Sequence, residues 1–148
     1  MKIQEEEAKK KHVLNVISAL FAYDLNTGKI KWRMPLGQDA NIAAKGGKNT
    51  GIPIGSQRKG MIVTSTGIVF ATAKGGIIYA FDEDDGKVLW TFQLSRETLG
   101  LPSMYEINGK QYLVVSATAP FTKESKDWSK EPGAMAAGYV VFALPTKK

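Results

Sequence analysis

The stretch Met61–Leu94 constrains the fold more strongly than any other part of this 148-residue chain. It contains four short segments rich in β-branched and aromatic residues, MIVT, IVFATA, IIYAFD and VLWTFQL, separated by glycine-containing turn sequences. In the third segment Ile77, Tyr79 and Phe81 point to one face of a strand, while Ile78 and Ala80 point to the other. Both faces are apolar, so the pattern predicts a small antiparallel sheet that packs between two similar sheets.

An eleven-residue pattern occurs twice in the chain. Ala22–Trp32 and Ala80–Trp90 share the form Ala-x-Asp-x-x-x-Gly-Lys-x-x-Trp, and their tryptophans are 58 positions apart. Repetition of this kind indicates a repeat architecture. We expect the Asp to accept hydrogen bonds from turn amides, the Gly to reverse the chain, and the Trp to fill the gap between neighbouring sheets with its N–H hydrogen bonded. The sequence therefore predicts an all-β fold built from the antiparallel four-stranded blades of a β-propeller.

These residues resemble the tryptophan-docking repeat of the quinoprotein alcohol and glucose dehydrogenases, which are eight-bladed β-propellers that bind pyrroloquinoline quinone (PQQ). The resemblance extends to Thr64–Phe70, to Leu101–Val115 and to the closing segment Tyr139–Pro145, in the order in which the family has them. It covers roughly residues 19–145. It implies the C-terminal part of such an enzyme, a partial propeller of about two to three blades in which one full blade lies between two partial ones.

Two units and two long loops follow from this interpretation. Residues 1–12 are predicted to be a charged N-terminal extension, because glutamates stand four positions before lysines, and those glutamates also argue against a signal peptide. Residues 13–148 form the partial propeller, with long loops at residues 37–60 and 119–138. Its first strand is predicted from Val13 to Asp24, and a hairpin of Leu99–Asn108 and Lys110–Thr118 is predicted around Asn108-Gly109. Trp128, in the second loop, either packs the loop onto the propeller rim or lines a ligand entrance.

The resemblance places a candidate cofactor site just before the strand that begins at Met61. In the family, this segment contributes backbone and a planar side chain near the quinone, which implies PQQ contacts from Gly55, Gln57, Arg58 and Gly60. Arg58 or Lys59 would meet a quinone carboxylate through charge-assisted hydrogen bonds, and a solvated basic turn is the alternative. Many alcohol-oxidising members carry a tryptophan in this segment, and this chain does not.

The sequence offers no catalytic or metal-binding constellation of its own. It has no cysteine and a single histidine, and it lacks a nucleophile elbow, a zinc motif and a phosphate loop. The acidic residues of the repeat belong to turns, where backbone capping explains them; these are Asp24, Asp82, Asp84 and Asp85. The resemblance therefore implies that the catalytic aspartate and the side chains that hold calcium on the quinone lie outside this chain.

The charge and the hydropathy of the chain limit the kinds of partner that it is expected to bind. The net charge is +6, but the lysines are spread over turns and termini without interleaved aromatic residues, so we expect no nucleic-acid partner. No apolar run approaches the roughly 18 residues needed for a transmembrane helix. Incomplete blades leave apolar faces and strand edges uncovered, so we expect missing propeller blades on another polypeptide, or self-association, to complete the fold.

The function implied by the resemblance is PQQ-dependent oxidation of an alcohol or an aldose sugar, in the periplasm, with electrons passed to the quinone. A non-catalytic quinoprotein-like propeller that serves as a scaffold for protein–protein interaction is the alternative. A structural module that only self-associates is a third interpretation.

Overall fold

Three antiparallel sheets follow one another along the chain in the computed structural model, which describes residues 19–37, 39–48, 50–51, 60–118, 130 and 136–143. The first sheet is β1–β2, the middle sheet is β3–β4–β5–β6, and the third sheet is β7–β8–β9. The elements are β1 Ala19–Tyr23, β2 Ile30–Pro35, α1 Ala40–Ala44, β3 Met61–Val63, β4 Ile68–Ala73, β5 Ile77–Asp82, β6 Val88–Gln93, β7 Ser103–Ile107, β8 Lys110–Ala117 and β9 Gly138–Ala143. The predicted full blade between two partial blades is confirmed.

The element boundaries differ from the sequence prediction in three places. Strand β3 ends before Thr64, because the Thr64 hydroxyl accepts a hydrogen bond from the Ile68 amide and closes the turn. Strand β7 begins at Ser103 rather than at Leu99. The predicted loop at 37–60 contains the short helix α1, whose first amides are capped by the Asp39 carboxylate.

Several predictions fall on residues that the structure does not describe. They are the extension at residues 1–12, the start of the strand predicted from Val13, Trp128 in the second long loop, and the final residues Leu144 and Pro145.

The strand connections separate the molecule into two ends. Tight turns at residues 24–29, 64–67, 83–87 and 108–109 lie at one end, which we call the turn end. The tight turn at 74–76, the connection at 94–102, the C-terminal ends of β2 and β8 and the N-terminal ends of β3 and β9 lie at the other, which we call the loop end. At the turn end, Asn108 has φ 52° and Gly109 has φ 73°, as the predicted two-residue hairpin requires.

The middle sheet is apolar on both faces, as predicted, and each face forms a separate core with one neighbour. One face packs on the first sheet. The buried residues of that interface are Leu20 from the first sheet and Val69, Ala71 and Phe81 from the middle sheet. The opposite face packs on the third sheet; the buried residues there are Ile78, Leu94, Leu113, Val115 and Ala117. The middle sheet therefore links two cores that lie on either side of it.

Trp32 joins the first sheet to the middle sheet at the turn end. Its indole Nε1 donates to the carbonyl oxygen of Glu83 over 2.8 Å, in the turn between β5 and β6. The ring lies against Gly86 of the same turn, where a Cβ atom would stand only 2.7 Å from Trp32 Cδ2. Lys31 and Asp84 form a salt bridge of 3.3 Å beside it. The predicted role of the repeat tryptophan is thus confirmed for Trp32.

Trp90, the same position of the second repeat, has a different environment. Its ring contacts Phe92 and Phe142, at centroid distances of 5.8 and 5.4 Å. Trp90 is 37% exposed. The Glu83–Gly86 turn covers Trp32, whereas the described part of the third sheet has no equivalent turn over Trp90.

The repeat aspartates cap their turns as expected. The Asp24 carboxylate accepts from the amides of Asn26 and Thr27, and Asp82 accepts from the amide of Asp84. These donors hold the pKa of Asp24 below its usual value, because they favour the charged carboxylate. Both repeats thus form the same local turn.

The two outer faces of the stack are apolar and exposed. Phe21 and Tyr23 stack on each other on the outer face of the first sheet, with Arg33 over the Phe21 ring. The third sheet exposes a second set on its own outer face, namely Tyr105, Ile107, Tyr139 and Val141. Sheets with such faces are expected to bind further sheets. No helix in the described part of the chain is long and apolar enough to cross a membrane.

Candidate functional site

Buried polar side chains gather at the loop end. Among the described residues, four polar or charged side chains are buried, and all four lie there: Thr50, Thr72, Glu97 and Thr98. The turn end is built from exposed capping residues instead. Since burying polar groups costs free energy unless they are bonded, their concentration at one end marks it as the candidate functional face.

Glu97 and Gln93 fix the backbone of the 74–76 turn. The fully buried Glu97 accepts a hydrogen bond of 2.6 Å from the Gly75 amide. Gln93 Nε2 donates to the Gly75 carbonyl oxygen over 2.6 Å and to that of Leu94 over 2.8 Å. Gly76, at φ 69°, packs its α-carbon against the Arg96 backbone, where a side chain would not fit. The loop end of the middle sheet is therefore rigid.

Two polar atoms at this end are buried without a hydrogen-bond partner among the described residues. They are the hydroxyl of Thr72, near the end of β4, and Nε of Arg96, in the connection that follows β6. A guanidinium group that is partly removed from water calls for an acceptor, and a carboxylate is the acceptor that matches it best. The loop end thus has donor capacity for an anionic group.

Of the residues predicted to contact the cofactor, the structure describes Gly60. It immediately precedes β3 at the loop end, and its carbonyl oxygen accepts from the Thr72 amide over 3.3 Å. A Cβ atom there would lie 3.3 Å from the Leu101 α-carbon and would displace the Leu101 side chain, so glycine lets β3 begin close to the residues that lead into the third sheet. Gly55, Gln57 and Arg58 lie outside the described residues, and the cofactor contact of all four stays a prediction.

Glu97 and Arg96 are not among the functional residues predicted from the sequence. The signal that points to them is the run Ser95-Arg96-Glu97-Thr98, which places polar residues directly after an apolar strand. Such a run is ordinarily a solvated connection, and only the three-dimensional arrangement shows that Glu97 and Thr98 are buried.

Tyr79 connects the first core to the loop end. Burial raises the pKa of Tyr79 above its ordinary value of 10.0, and a hydrogen bond with the backbone of Gly37 acts in the opposite direction. The folded chain therefore favours the neutral phenol. The contribution of Tyr79 to the free energy of unfolding is fully present below pH 10, and it is lost as the pH rises through the folded-state pKa of this tyrosine.

We expect a spectrophotometric titration to show one tyrosine that ionises above its ordinary pKa while the chain stays folded, and Tyr79→Phe to remove that late step. Tyr139→Phe, a change at a tyrosine that is 76% exposed, should leave the late step in place. A late step that persists in Tyr79→Phe would contradict the assignment.

Comparison with known proteins identifies the family. The family profile described as PQQ, glucose/ethanol/alcohol dehydrogenase, β-propeller domain, matches residues 15–113. The chain belongs to this family. The quinoprotein β-propeller inferred from the repeat is thereby confirmed.

Individual members of the quinoprotein dehydrogenase family match about two thirds of the chain. The glycerol dehydrogenase large subunit of Gluconobacter oxydans is 40% identical over 101 residues, which are 65% of this chain and 14% of that protein. The quinate/shikimate dehydrogenase (quinone) of Acinetobacter baylyi is 36% identical over 101 residues, which are 65% of this chain and 12% of that protein. Among solved structures, a europium-containing methanol dehydrogenase aligns with TM-score 0.50 and 25% identity, over 68% of this chain and 15% of that chain. The chain thus spans about one seventh of the relatives that it matches.

At the loop end, the described residues include donors that suit an anionic cofactor. PQQ is a planar quinone that carries three carboxylates, and the unpartnered Arg96 Nε and Thr72 hydroxyl are donors suited to such a group. The apolar cavity at the turn end, of about 450 Å³, has no charged residue among its described lining. No group of three or more His, Asp or Glu side chains that would hold a metal ion occurs within the described ranges.

Proposed function

We propose that this chain supplies C-terminal propeller blades, and one wall of the cofactor pocket, to a PQQ-dependent dehydrogenase that oxidises an alcohol or an aldose sugar. The bound quinone accepts the two electrons that the substrate hydroxyl carbon loses. Calcium would be held on the quinone by residues of other blades. The proposed site of action is the periplasm.

The observation that carries this proposal is the unpartnered Arg96 Nε at the loop end of a chain of this family. Around it, Glu97 and Gln93 hold the 74–76 turn in place. In the proposed pocket, Arg96 binds a quinone carboxylate and the rigid turn orients that wall. The adjacent part of the proposed pocket wall is the segment that contains Gly55, Gln57, Arg58 and Gly60.

A chimera tests the proposal. Residues 15–113 of this chain replace the matching segment of the Gluconobacter oxydans glycerol dehydrogenase large subunit, and PQQ binding is titrated by absorbance in the presence of calcium. We expect the folded chimera to bind PQQ. Arg96→Gln should weaken that binding about tenfold, the size of one charge-assisted hydrogen bond.

The control is Lys87→Gln, which removes one positive charge at the turn end and should change PQQ affinity by less than about twofold. A chimera that folds, as judged by circular dichroism, but does not bind PQQ would overturn the assignment and favour a non-catalytic scaffold. Equal losses for Arg96→Gln and Lys87→Gln would show that net charge, rather than an Arg96 contact, is responsible.

A further inference from the structure

The β7–β8 hairpin turns through Asn108 and Gly109 at the turn end, and both residues are exposed. Ile107 pairs with Lys110, so these two residues form the whole turn. No other asparagine in the sequence precedes a glycine. In such a pair an electrophilic side-chain carboxamide stands next to a backbone amide that no Cβ atom shields. The turn therefore holds the two groups that intramolecular deamidation requires.

The Gly109 amide is available as a nucleophile. Among the described residues it donates no hydrogen bond. A Cβ atom placed at Gly109 would meet no atom within 4 Å, so the surrounding space is open. Asn108 stands at φ 52°, which is unfavourable for a residue with a side chain and lowers the cost of opening the turn. Ring closure between the two residues meets neither a competing hydrogen bond nor a steric obstacle.

Capping carboxylates hold the amides that follow the other described asparagines. The Asp24 carboxylate accepts a hydrogen bond of 3.3 Å from the Thr27 amide. The Asp39 carboxylate accepts one of 3.0 Å from the Ile42 amide. Both donors belong to β-branched residues, whose side chains crowd the amide nitrogen. The asparagines that precede these amides are Asn26 and Asn41.

Asp85 and Gly86 form a chemically similar pair in the turn before β6, since an aspartate forms the same ring with loss of water. There the Gly86 amide donates to the Asp82 carbonyl oxygen over 3.0 Å, and the glycine lies against Trp32. The fold thus holds this glycine amide in place and leaves the Gly109 amide free.

We propose that Asn108 deamidates spontaneously, so that the β7–β8 turn is a modification site of the folded chain. The Gly109 nitrogen loses its proton to hydroxide and forms a bond with the side-chain carbonyl carbon of Asn108. The bond from that carbon to its amide nitrogen breaks, ammonia leaves with a proton taken from water, and a cyclic succinimide remains. Water then opens the succinimide at either carbonyl carbon, which gives aspartate or isoaspartate. Water is the co-reactant, and no group is oxidised or reduced.

The two products differ in their effect on the hairpin. Aspartate followed by glycine suits a two-residue turn as well as asparagine does, so this product keeps the fold. Isoaspartate carries the backbone through its β-carbon and adds one atom to the chain between Ile107 and Lys110, whose pairing then no longer fits. Tyr105 and Tyr112, which stack at a centroid distance of 5.0 Å, lose their fixed alignment. The isoaspartate product therefore loosens the turn end of the third sheet.

This inference goes beyond the proposed function and does not depend on it. The modified turn lies at the turn end, whereas the proposed cofactor wall lies at the loop end. Deamidation is measured without PQQ, so either proposal can fail while the other succeeds.

The test incubates the full 148-residue chain at neutral and at mildly alkaline pH. Its tryptic peptides are then mapped by mass spectrometry, with electron-transfer fragmentation to distinguish aspartate from isoaspartate. We expect the Asn108 peptide to gain the mass of an amide-to-acid conversion at least about tenfold faster than the peptides of Asn26 and Asn41. The rate should rise with pH, because the attacking nitrogen must lose its proton. In the purified isoaspartate fraction, β7 amides should exchange hydrogen faster than in the unmodified chain.

Two variants separate the free amide from the sequence pair. Gly109→Ala should slow the reaction about tenfold, because a Cβ atom hinders attack by the amide nitrogen. Thr27→Gly creates a second asparagine–glycine pair, in a turn where Asp24 holds the following amide. We expect Asn26 of the folded variant to react at least about fivefold more slowly than Asn108, and the two rates to become equal in urea.

The comparison among the asparagines of the unaltered chain needs no variant, so the test stands if Gly109→Ala does not fold. A rate at Asn108 no greater than that at Asn26 would overturn the inference. Equal rates at the two asparagines of folded Thr27→Gly, or an unchanged rate in folded Gly109→Ala, would overturn it as well.

Discussion

Replacing Gly86 by alanine is expected to lower the free energy of unfolding by about 2–5 kcal/mol. Gly86 has φ 73°, a conformation that costs a residue with a side chain about 1–2 kcal/mol. The added Cβ would also stand 2.7 Å from Trp32 Cδ2 and 2.8 Å from Cε3, so the indole ring must move away from the Glu83 carbonyl that it bonds. Overpacking of this kind adds about 1–3 kcal/mol.

Gly28→Ala is the matched control for this prediction. Gly28 occupies the same repeat position and has φ 67°, but a Cβ there meets no atom within 4 Å. We expect it to cost only the conformational part, about 1–2 kcal/mol. Urea unfolding followed by far-ultraviolet circular dichroism measures both variants. Equal losses would show that the Trp32 contact does not contribute to stability.

Phe81→Ala is expected to destabilise the chain by about 3–5 kcal/mol, the cost of emptying a fully buried aromatic position. Phe81 is completely buried between the first and middle sheets, where it stacks on Tyr79 at a centroid distance of 5.3 Å and packs with Leu20 and Val69. Removal of the ring leaves a cavity in the smaller of the two separate cores. Urea unfolding, followed as for Gly86→Ala, measures the resulting loss of stability.

Tyr23→Ala provides the comparison, since Tyr23 is the counterpart of Phe81 in the first repeat. It stacks on Phe21 as Phe81 stacks on Tyr79, but it is 56% exposed because no described sheet packs on that face. We expect a loss of less than about 1 kcal/mol in the isolated chain. A loss as large as that of Phe81→Ala would mean that the outer face of the first sheet is already covered, for example by a second copy of the chain.

Most of the fold could be predicted from the sequence because its signals are local. The strands follow from β-branched and aromatic segments bounded by glycine turns, and the turn roles of Asp24 and Asp82 follow from the short reach of a carboxylate to the next amides. The two apolar faces of β5 were sufficient to predict that the middle sheet packs between two others. These inferences need only the period of a strand and the chemistry of a turn.

Contacts between segments that are distant in sequence were harder to predict. The sequence predicts that Trp32 fills a gap between sheets, but not that its N–H bonds to Glu83, since that contact depends on how adjacent sheets stack. The difference between Trp32 and Trp90, which are identical in their repeats, arises because the third sheet has no described fourth strand. Helix α1 is too short to show periodicity, and Asp39 was the only local sign of it.

The candidate site was the least predictable part. The cofactor residues were inferred from resemblance, and of the four only Gly60 is described, in a position that packing against Leu101 already explains. The burial of Glu97 and Thr98 depends on the loop end closing around the 74–76 turn, which no local pattern encodes.

The placement of the two cores on opposite faces of the middle sheet makes the chain a linear array with nearest-neighbour coupling. Leu20 and Leu113 belong to different cores, so within the residues that the structure describes a perturbation of one reaches the other through the middle sheet. Losses in the two outer sheets should then add almost independently, whereas losses within the middle sheet affect both. The middle sheet therefore controls the cooperativity of the described part of the chain.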